Sequence, residues 1–143
     1  MPLTPQERHA LLAEPHVASI ALPDAAHPGR APLSVPVWYA YEPGGDLIVT
    51  TARASRKGRA AEAAERLTVL VQRATPTYRY VSVEGPLAPL RDTTADELAA
   101  IASRYLPAEA VGAYVEKSLA RGGLVTLRMR PEHWLGADLG PSA

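Results

Sequence analysis

Four cationic side chains fall within the seven residues from Arg53 to Arg59, and this stretch contains no acidic residue. Ser55 is a favourable N-cap, and the Ala, Arg and Glu residues after it predict a helix over 56–66. Backbone N–H groups at a helix N-terminus, the helix dipole and nearby cations favour an anion, most naturally a phosphate. Gly58 would let such a ligand approach closely. The alternative is an exposed basic helix start, although cations there oppose the dipole by about 0.3–1 kcal/mol each unless an anion binds.

Large aromatic side chains are few, since aromatic residues make up only 6% of the chain. The candidates for stacking on a flat ring are Trp38, Tyr78, Tyr80 and Trp134. For each of them, packing in the core is the alternative role. Trp38 is the best candidate, because it lies on the strand face opposite Tyr39 and Tyr41, which we expect in the core.

Several classes of chemistry are excluded by what the sequence lacks. It has no cysteine, which excludes disulfides, Fe–S clusters, thiolate zinc sites and cysteine nucleophiles. Its four histidines are scattered without helical or hairpin spacing, so we expect no metal site. The G-x-G-x-x-G, Walker and G-x-S-x-G motifs are missing, which argues against dinucleotide, nucleoside-triphosphate and serine-hydrolase sites.

The charges of the 143 residues balance, with 15 Lys plus Arg against 15 Asp plus Glu. No whole-molecule field therefore attracts nucleic acid or an anionic membrane, and we expect neither as a partner. Nucleic-acid binding through the basic stretch and stacked tyrosines is an alternative, and it predicts a steep loss of binding with salt. No apolar run approaches the ~18 residues of a membrane span, so we expect a cytoplasmic protein.

The elements that position the basic stretch can be predicted from capping residues and hydrophobic periodicity. Capping boxes begin at Thr4 and Thr94, and they predict one helix up to about Glu14 and two consecutive helices before Gly122. Alternation of apolar residues predicts strands over 16–22, 33–41, 47–51, 67–72, 78–84 and 124–129. Turn residues between the second and third strands predict that these two form a hairpin.

Six strands with short connections favour a mainly β fold with peripheral helices, a small closed or split β-barrel of six antiparallel strands formed by one domain over 1–143. An open α+β sheet is the alternative. Pro36 lacks an N–H donor, which indicates an edge or a bulge, and the segment from Pro131 onward is predicted to be irregular. Because side chains fill so small a barrel, a flat ligand should bind on its outer wall, where a partner subunit would complete the pocket.

An ordered set of segments resembles the pyridoxamine 5'-phosphate oxidase-like superfamily, the flavin and deazaflavin oxidoreductases built on a split β-barrel. The segments are Gly29-Arg30, 33–39, Val49-Thr50-Thr51, Ser55-Arg56-Lys57 and 78–85. The tail over 132–139 is similar to tails in the branch that uses the deazaflavin coenzyme F420. The resemblance spans about residues 10–139, nearly the whole chain.

The resemblance implies a homodimer with two cofactor sites at the subunit interface. In the family, the second strand passes the isoalloxazine ring, and residues ending the third strand contact the ribityl phosphate region. Positions after it bind the phosphate, one residue reaches across from the neighbouring chain, and another closes the pocket. In that order, the matching residues are Val37 and Trp38, then Thr50 and Thr51, then Arg56 and Lys57, then Tyr80, and finally Trp134. Ser55, which precedes the phosphate-binding pair, is also expected to contact the cofactor.

Two departures from the family pattern bear on the substrate. Ala64-Glu65 replaces the usual Asn-Pro after the helix, and the C-terminal Arg and His signature of true pyridoxamine phosphate oxidases is missing. Vitamin B6 oxidation is therefore not expected. The resemblance instead implies an oxidoreductase that transfers a hydride between F420 or FMN and a small unsaturated substrate, with F420 favoured by the tail. The residues indicate no catalytic acid or base, so a non-catalytic carrier of a flavin or another planar ligand is the alternative.

Overall fold

The computed structural model describes residues 1–141, which form four helices and nine strands. In chain order the elements are α1 (Pro5–Ala13), β1 (Ala18–Leu22), β2 (Leu33–Val37), β3 (Ala40–Tyr41), β4 (Leu47–Ala52), α2 (Arg56–Ala63), β5 (Arg66–Arg73), β6 (Arg79–Pro86), β7 (Arg91–Asp92), α3 (Ala95–Ala102), α4 (Ala108–Arg121), β8 (Leu124–Met129) and β9 (His133–Asp138).

The strands form two antiparallel sheets, a five-stranded one in the order β2-β1-β5-β6-β9 and a four-stranded one in the order β3-β4-β8-β7. Buried residues of both sheets belong to one hydrophobic cluster, to which α1 and α2 also contribute. The mainly β, antiparallel fold with helices is therefore confirmed. Pro36 lies in β2 at the edge of the five-stranded sheet, as its missing N–H donor predicted.

The strand count corrects the prediction, since nine strands are found where six were expected, and their pairing does not confirm a six-stranded barrel. The strand predicted over 33–41 is divided at Trp38 and Tyr39. Its first part pairs with β1 in one sheet, and its last part pairs with β4 in the other. The predicted hairpin with the third strand is thus confined to Ala40–Tyr41. The apolar alternation does not reveal the switch, because Val37, Tyr39 and Tyr41 all remain in the shared core.

The C-terminal segment was wrongly predicted to be irregular, because 133–138 form β9 and pair with β6 along their whole length. Gly136 permits this close pairing, since a Cβ there would lie 2.9 Å from Val81 Cγ2 and 3.0 Å from the carbonyl oxygen of Tyr80. The Leu3 N–H also donates to the Gly136 carbonyl at 3.1 Å. The segment over 133–138 is therefore part of the sheet that carries Tyr80.

The predicted helix starts are confirmed, with capping boxes at Thr4 for α1 and Thr94 for α3. α2 also begins as predicted, but it ends at Ala63 and not at Arg66. Arg66 instead begins β5, where its guanidinium bonds Glu84 and Glu132 across the sheet. No described helix is both long and apolar enough to cross a membrane.

Candidate functional site

The junction of β4 and α2 is organised by the hydroxyl of Ser55. Ser55 Oγ accepts a hydrogen bond from the Gly58 N–H at 3.0 Å and donates to the Ala52 carbonyl at 2.7 Å. Thr51 Oγ1 lies 3.1 Å from Ser55 Oγ, and Thr51 is buried. Thr50, the preceding residue of β4, is partly buried and opposite Thr126 in β8. The end of β4 therefore fixes the first turn of α2.

The first turn of α2 contains no acidic residue. Ser55 satisfies the third N–H of the helix, but within residues 1–141 the N–H groups of Arg56 and Lys57 donate to no acceptor. Such unpaired donors, together with the positive end of the helix dipole, form a site that suits an anion.

The four cations of the basic stretch separate into two kinds. Arg53 pairs with Glu62 at 2.9 Å and Arg56 pairs with Asp24 at 2.9 Å, so acids from elsewhere in the fold engage both. Lys57 and Arg59 have no carboxylate within ion-pair distance in the part of the chain that the structure describes. Lys57 is also partly buried, and this desolvation lowers the pKa of its ammonium. Lys57 is thus the cation best placed to gain from an incoming anion.

Asp24 was not singled out by sequence reasoning, yet it is the acid that holds Arg56. Its side chain is 2% exposed, and its Oδ2 accepts from Arg56 Nε at 2.9 Å and from His27 Nδ1 at 3.0 Å. Burial acts to raise the pKa of Asp24, but the bonds from Arg56 and His27 outweigh it and the net shift is downward. No local pattern indicates a pairing across 32 residues, and the one available signal was a lone acid in the predicted turn after β1.

From its position in the first turn, Gly58 was predicted to let a ligand approach closely, but the structure shows a different role. It is buried against the end of β4, and a Cβ there would clash with the Ala52 carbonyl oxygen and lie 2.7 Å from that of Arg53. The bare Cα instead lets α2 pack directly on the backbone that leads into it. The prediction was wrong because the sequence does not indicate which side of the helix faces the strand.

The two residues expected beside the ring differ in their surroundings. Val37 is buried in the core. Trp38 is partly buried and stacks on Tyr105, with ring centroids 4.8 Å apart and planes 11° apart. Tyr114 of α4 approaches the same indole at 5.9 Å with a 37° tilt. Trp38 is therefore already stacked on an aromatic residue of the same chain.

Tyr80 and Trp134 lie in neighbouring strands but face different surroundings. Tyr80 is partly buried in β6, opposite Gln72 and Ala137. Trp134 packs against the core, with its indole 4.6 Å from the His9 ring at 64°. Its further partners are the Tyr41 ring, 6.4 Å away, and the Arg8 guanidinium, 5.7 Å from its centroid. The described contacts therefore join Trp134 to α1 and β3. The described contacts of the α2 N-terminus involve neither Tyr80 nor Trp134.

A cleft of about 540 Å³ lies at the other end of α2. Ala63 and Ala64 line one side of it, and Pro23 and Ala25, the neighbours of Asp24, line another. The turn after β1 therefore lies beside the last residues of α2, and its Asp24 side chain contacts the guanidinium of Arg56. Among residues 1–141, no group of three or more His, Cys, Asp or Glu side chains is placed to hold a metal ion.

Comparisons with known proteins agree with this architecture. The family model described as pyridoxamine 5'-phosphate oxidase matches residues 4–136. Similar solved structures include a conserved hypothetical protein of Mycobacterium tuberculosis, at 18% identity and a TM-score of 0.75, covering 95% of this chain and 85% of that one. An F420 reductase is similar at 22% identity and a TM-score of 0.69, covering 92% of this chain and 98% of the other.

An FAD-binding protein of Mesorhizobium loti is similar at 22% identity and a TM-score of 0.65, with 95% of each chain covered. At these identities the structural similarities establish the fold alone. A search of curated protein sequences found no match.

Proposed function

The chain belongs to the pyridoxamine 5'-phosphate oxidase family, and from this premise we propose that it is an oxidoreductase using a phosphate-bearing flavin-type cofactor. The cofactor is F420 or FMN, bound between two copies of the chain, and a hydride passes between it and a small unsaturated substrate. The similar F420 reductase and FAD-binding protein support a cofactor of this chemical type.

The observation that carries the proposal is the partly buried Lys57 at the start of α2, which has no carboxylate partner within residues 1–141. An ammonium in this position loses hydration without gaining an ion pair, and a phosphate would supply the missing partner. The N–H groups of Arg56 and Lys57, which have no acceptor in the described part of the chain, add donors suited to the same ligand. The residues present therefore fit the phosphate of such a cofactor.

In this proposal each residue of the junction has a defined part. Lys57 and the first N–H groups of α2 bind the phosphate, while Ser55 holds the turn and Thr51 braces the Ser55 hydroxyl. Thr50 lies beside the ribityl chain. When bound, the cofactor supplies the hydride chemistry, and the protein supplies binding, orientation and exclusion of water.

The outer face of the five-stranded sheet supports a second copy as the other wall of the site. Leu70 is 37% exposed and Leu135 is 63% exposed, and both flank Ser82 on adjacent strands. Tyr80, two residues along β6, lies on the same face, because Val81 between them is buried. Exposed apolar side chains grouped on a sheet face are typical of an interface. A partner chain packed there would bring Tyr80 toward a neighbouring ring, while Val37, Trp38 and Trp134 complete the proposed contacts with it.

The experiment that tests the proposal is a titration of the purified protein with FMN and with F420, followed by absorbance and fluorescence. Binding of one of them, with the protein eluting as a dimer, is the expected result. The reduced cofactor is then mixed with a panel of enones, quinones and tetrapyrroles. Oxidation of the cofactor by one of these compounds supports the enzyme. Tight binding without oxidation across the panel favours the carrier instead, and failure to bind either cofactor overturns both.

A further inference from the structure

The carboxylate of Asp24 is almost completely buried although it lies in the turn between β1 and β2. The turn is closed by backbone bonds from the His27 N–H to the Asp24 carbonyl at 3.0 Å and from the Arg30 N–H to the His27 carbonyl at 3.2 Å. The turn presents the Asp24 side chain, which is 2% exposed, to the guanidinium of Arg56, the first residue of α2. A buried carboxylate costs free energy unless hydrogen-bond donors satisfy it, and the Arg56 guanidinium and the His27 ring do so here.

The arrangement fixes one edge of the Arg56 guanidinium. Arg56 Nε and Nη2 both lie 2.9 Å from Asp24 Oδ2, which leaves Nη1 without a partner in the described chain. Arginine has five N–H donors in a rigid planar fork, so fixing one edge also fixes the direction of the others. The Arg56 side chain remains 54% exposed, so the donors that Asp24 leaves unpaired within residues 1–141 are accessible to solvent and to an incoming ligand.

We propose that Asp24 is a positioning residue for the anion site, holding the Arg56 guanidinium so that its free N–H donors bind the cofactor phosphate. The inference rests on the proposed function and adds a residue to its site. Without Asp24, the long side chain of the first helical residue would have to be ordered by the ligand itself. Ordering such a side chain on binding costs free energy and should weaken affinity several-fold.

The negative charge of Asp24 leads to an opposite hypothesis, in which the carboxylate competes with the phosphate for Arg56. Two substitutions separate the hypotheses. Asp24→Asn keeps an oxygen acceptor and removes the charge, while Asp24→Ala removes both. Positioning predicts that affinity falls for Asp24→Ala and is largely restored for Asp24→Asn, whereas competition predicts tighter binding for both variants.

The test measures the dissociation constants of FMN and of riboflavin, which differ by the phosphate, for the full-length variants. We expect Asp24→Ala to weaken FMN binding about 3- to 10-fold and to leave riboflavin binding unchanged. In an Arg56→Ala background, the further Asp24→Ala change should have no effect on FMN. The matched control is Asp46→Ala, another turn acid near an arginine, 3.8 Å from Arg128, which should not change FMN affinity. If the protein binds F420 and not FMN, the same measurements are made with F420 and its phosphate-free chromophore in place of FMN and riboflavin.

The outcomes separate this inference from the proposed function. Unchanged or tighter FMN binding by Asp24→Ala overturns positioning, and an equal loss for FMN and riboflavin reduces Asp24 to a purely structural role. If Asp24→Ala does not fold, Asp24→Asn in the wild-type and Arg56→Ala backgrounds still distinguishes competition from positioning. If Lys57→Ala weakens FMN binding while Asp24→Ala does not, the phosphate site stands and only the role of Asp24 fails. If neither changes it, both fail.

Discussion

The replacement of Lys57 by alanine separates binding from stability, because cofactor affinity should fall while the free energy of unfolding should not. Lys57 is partly buried, has no carboxylate partner in the described chain, and lies in the first turn of a helix. Before a ligand binds, its charge opposes the helix dipole. After a phosphate binds, the same ammonium makes a charge-assisted hydrogen bond.

The magnitudes follow from these two roles. A hydrogen bond to a charged group contributes about 1.5–3 kcal/mol, so Lys57→Ala should weaken binding of FMN or F420 by about 10- to 100-fold. Removal of a cation from the helix N-terminus should relieve about 0.3–1 kcal/mol in the unliganded protein. Alanine also has the higher helix propensity. The free energy of unfolding of the unliganded variant should therefore stay the same or rise.

Fluorescence titration measures the dissociation constant, and urea denaturation of the unliganded protein measures the free energy of unfolding. The chain offers a matched control, because its only other lysine is Lys117, an exposed residue of α4. Lys117→Ala should leave affinity for FMN and F420 unchanged. An unchanged dissociation constant for Lys57→Ala would refute the phosphate role. A loss of affinity together with a large loss of stability would show that Lys57 supports the fold instead.

Three further predictions concern the scaffold. Gly58→Ala should lower the free energy of unfolding by more than about 1 kcal/mol, measured by urea denaturation, because its methyl group would meet backbone oxygens at the end of β4; an unchanged midpoint would contradict this packing. Tyr39→Phe should cost about 1–2 kcal/mol by the same measurement, since the buried hydroxyl donates to carbonyl oxygens at the end of α1 at 2.6 and 2.9 Å. Glu97 is partly desolvated, but hydrogen bonds from Thr94, Thr126 and Arg128 hold its pKa below the ordinary 4.5. A lowered folded-state pKa stabilises the protein above the unfolded value, and this contribution is lost as the pH falls below about 4.5. Glu97→Gln should therefore be less stable than wild type at pH 6 and differ less from it at pH 3, and a constant difference would be evidence against this linkage.

Local features of the chain were predictable because their signals are local. The capping residues Thr4, Ser55 and Thr94 place the starts of three helices correctly, since a cap acts within one turn. Alternation of apolar residues likewise identifies most of the strands. The basic stretch and its Ser55 cap also lie where the sequence placed them, at the passage from β4 into α2.

The features that escaped prediction depend on contacts between distant segments. The strand over 33–41 changes sheets without changing its alternation, because both sheets face one core. α2 ends at Ala63, and Arg66 lies in β5, where it pairs with Glu84 of β6 and with Glu132, which follows β8. The pairing of Arg56 with Asp24 also joins separate elements. No count of charges within 53–59 reveals these partners. The four positive charges of residues 53–59 therefore overstate the positive charge that the folded segment offers to a ligand, because acids from other elements pair with Arg53 and Arg56.

The proposed site has two parts with different requirements. The proposed phosphate end consists of residues of one chain, Thr51 to Lys57, and the hydrogen bonds that organise them are present in a single copy. The aromatic residues are separate, since Trp38 stacks on Tyr105, Trp134 packs against α1, and Tyr80 lies on an exposed sheet face. If a second copy supplies the ring wall, dilution to the monomer should weaken the contribution of the ring to affinity and spare that of the phosphate. Affinity for riboflavin should then fall steeply with dissociation of the dimer, while the ratio of FMN to riboflavin affinity, set by Lys57, should persist.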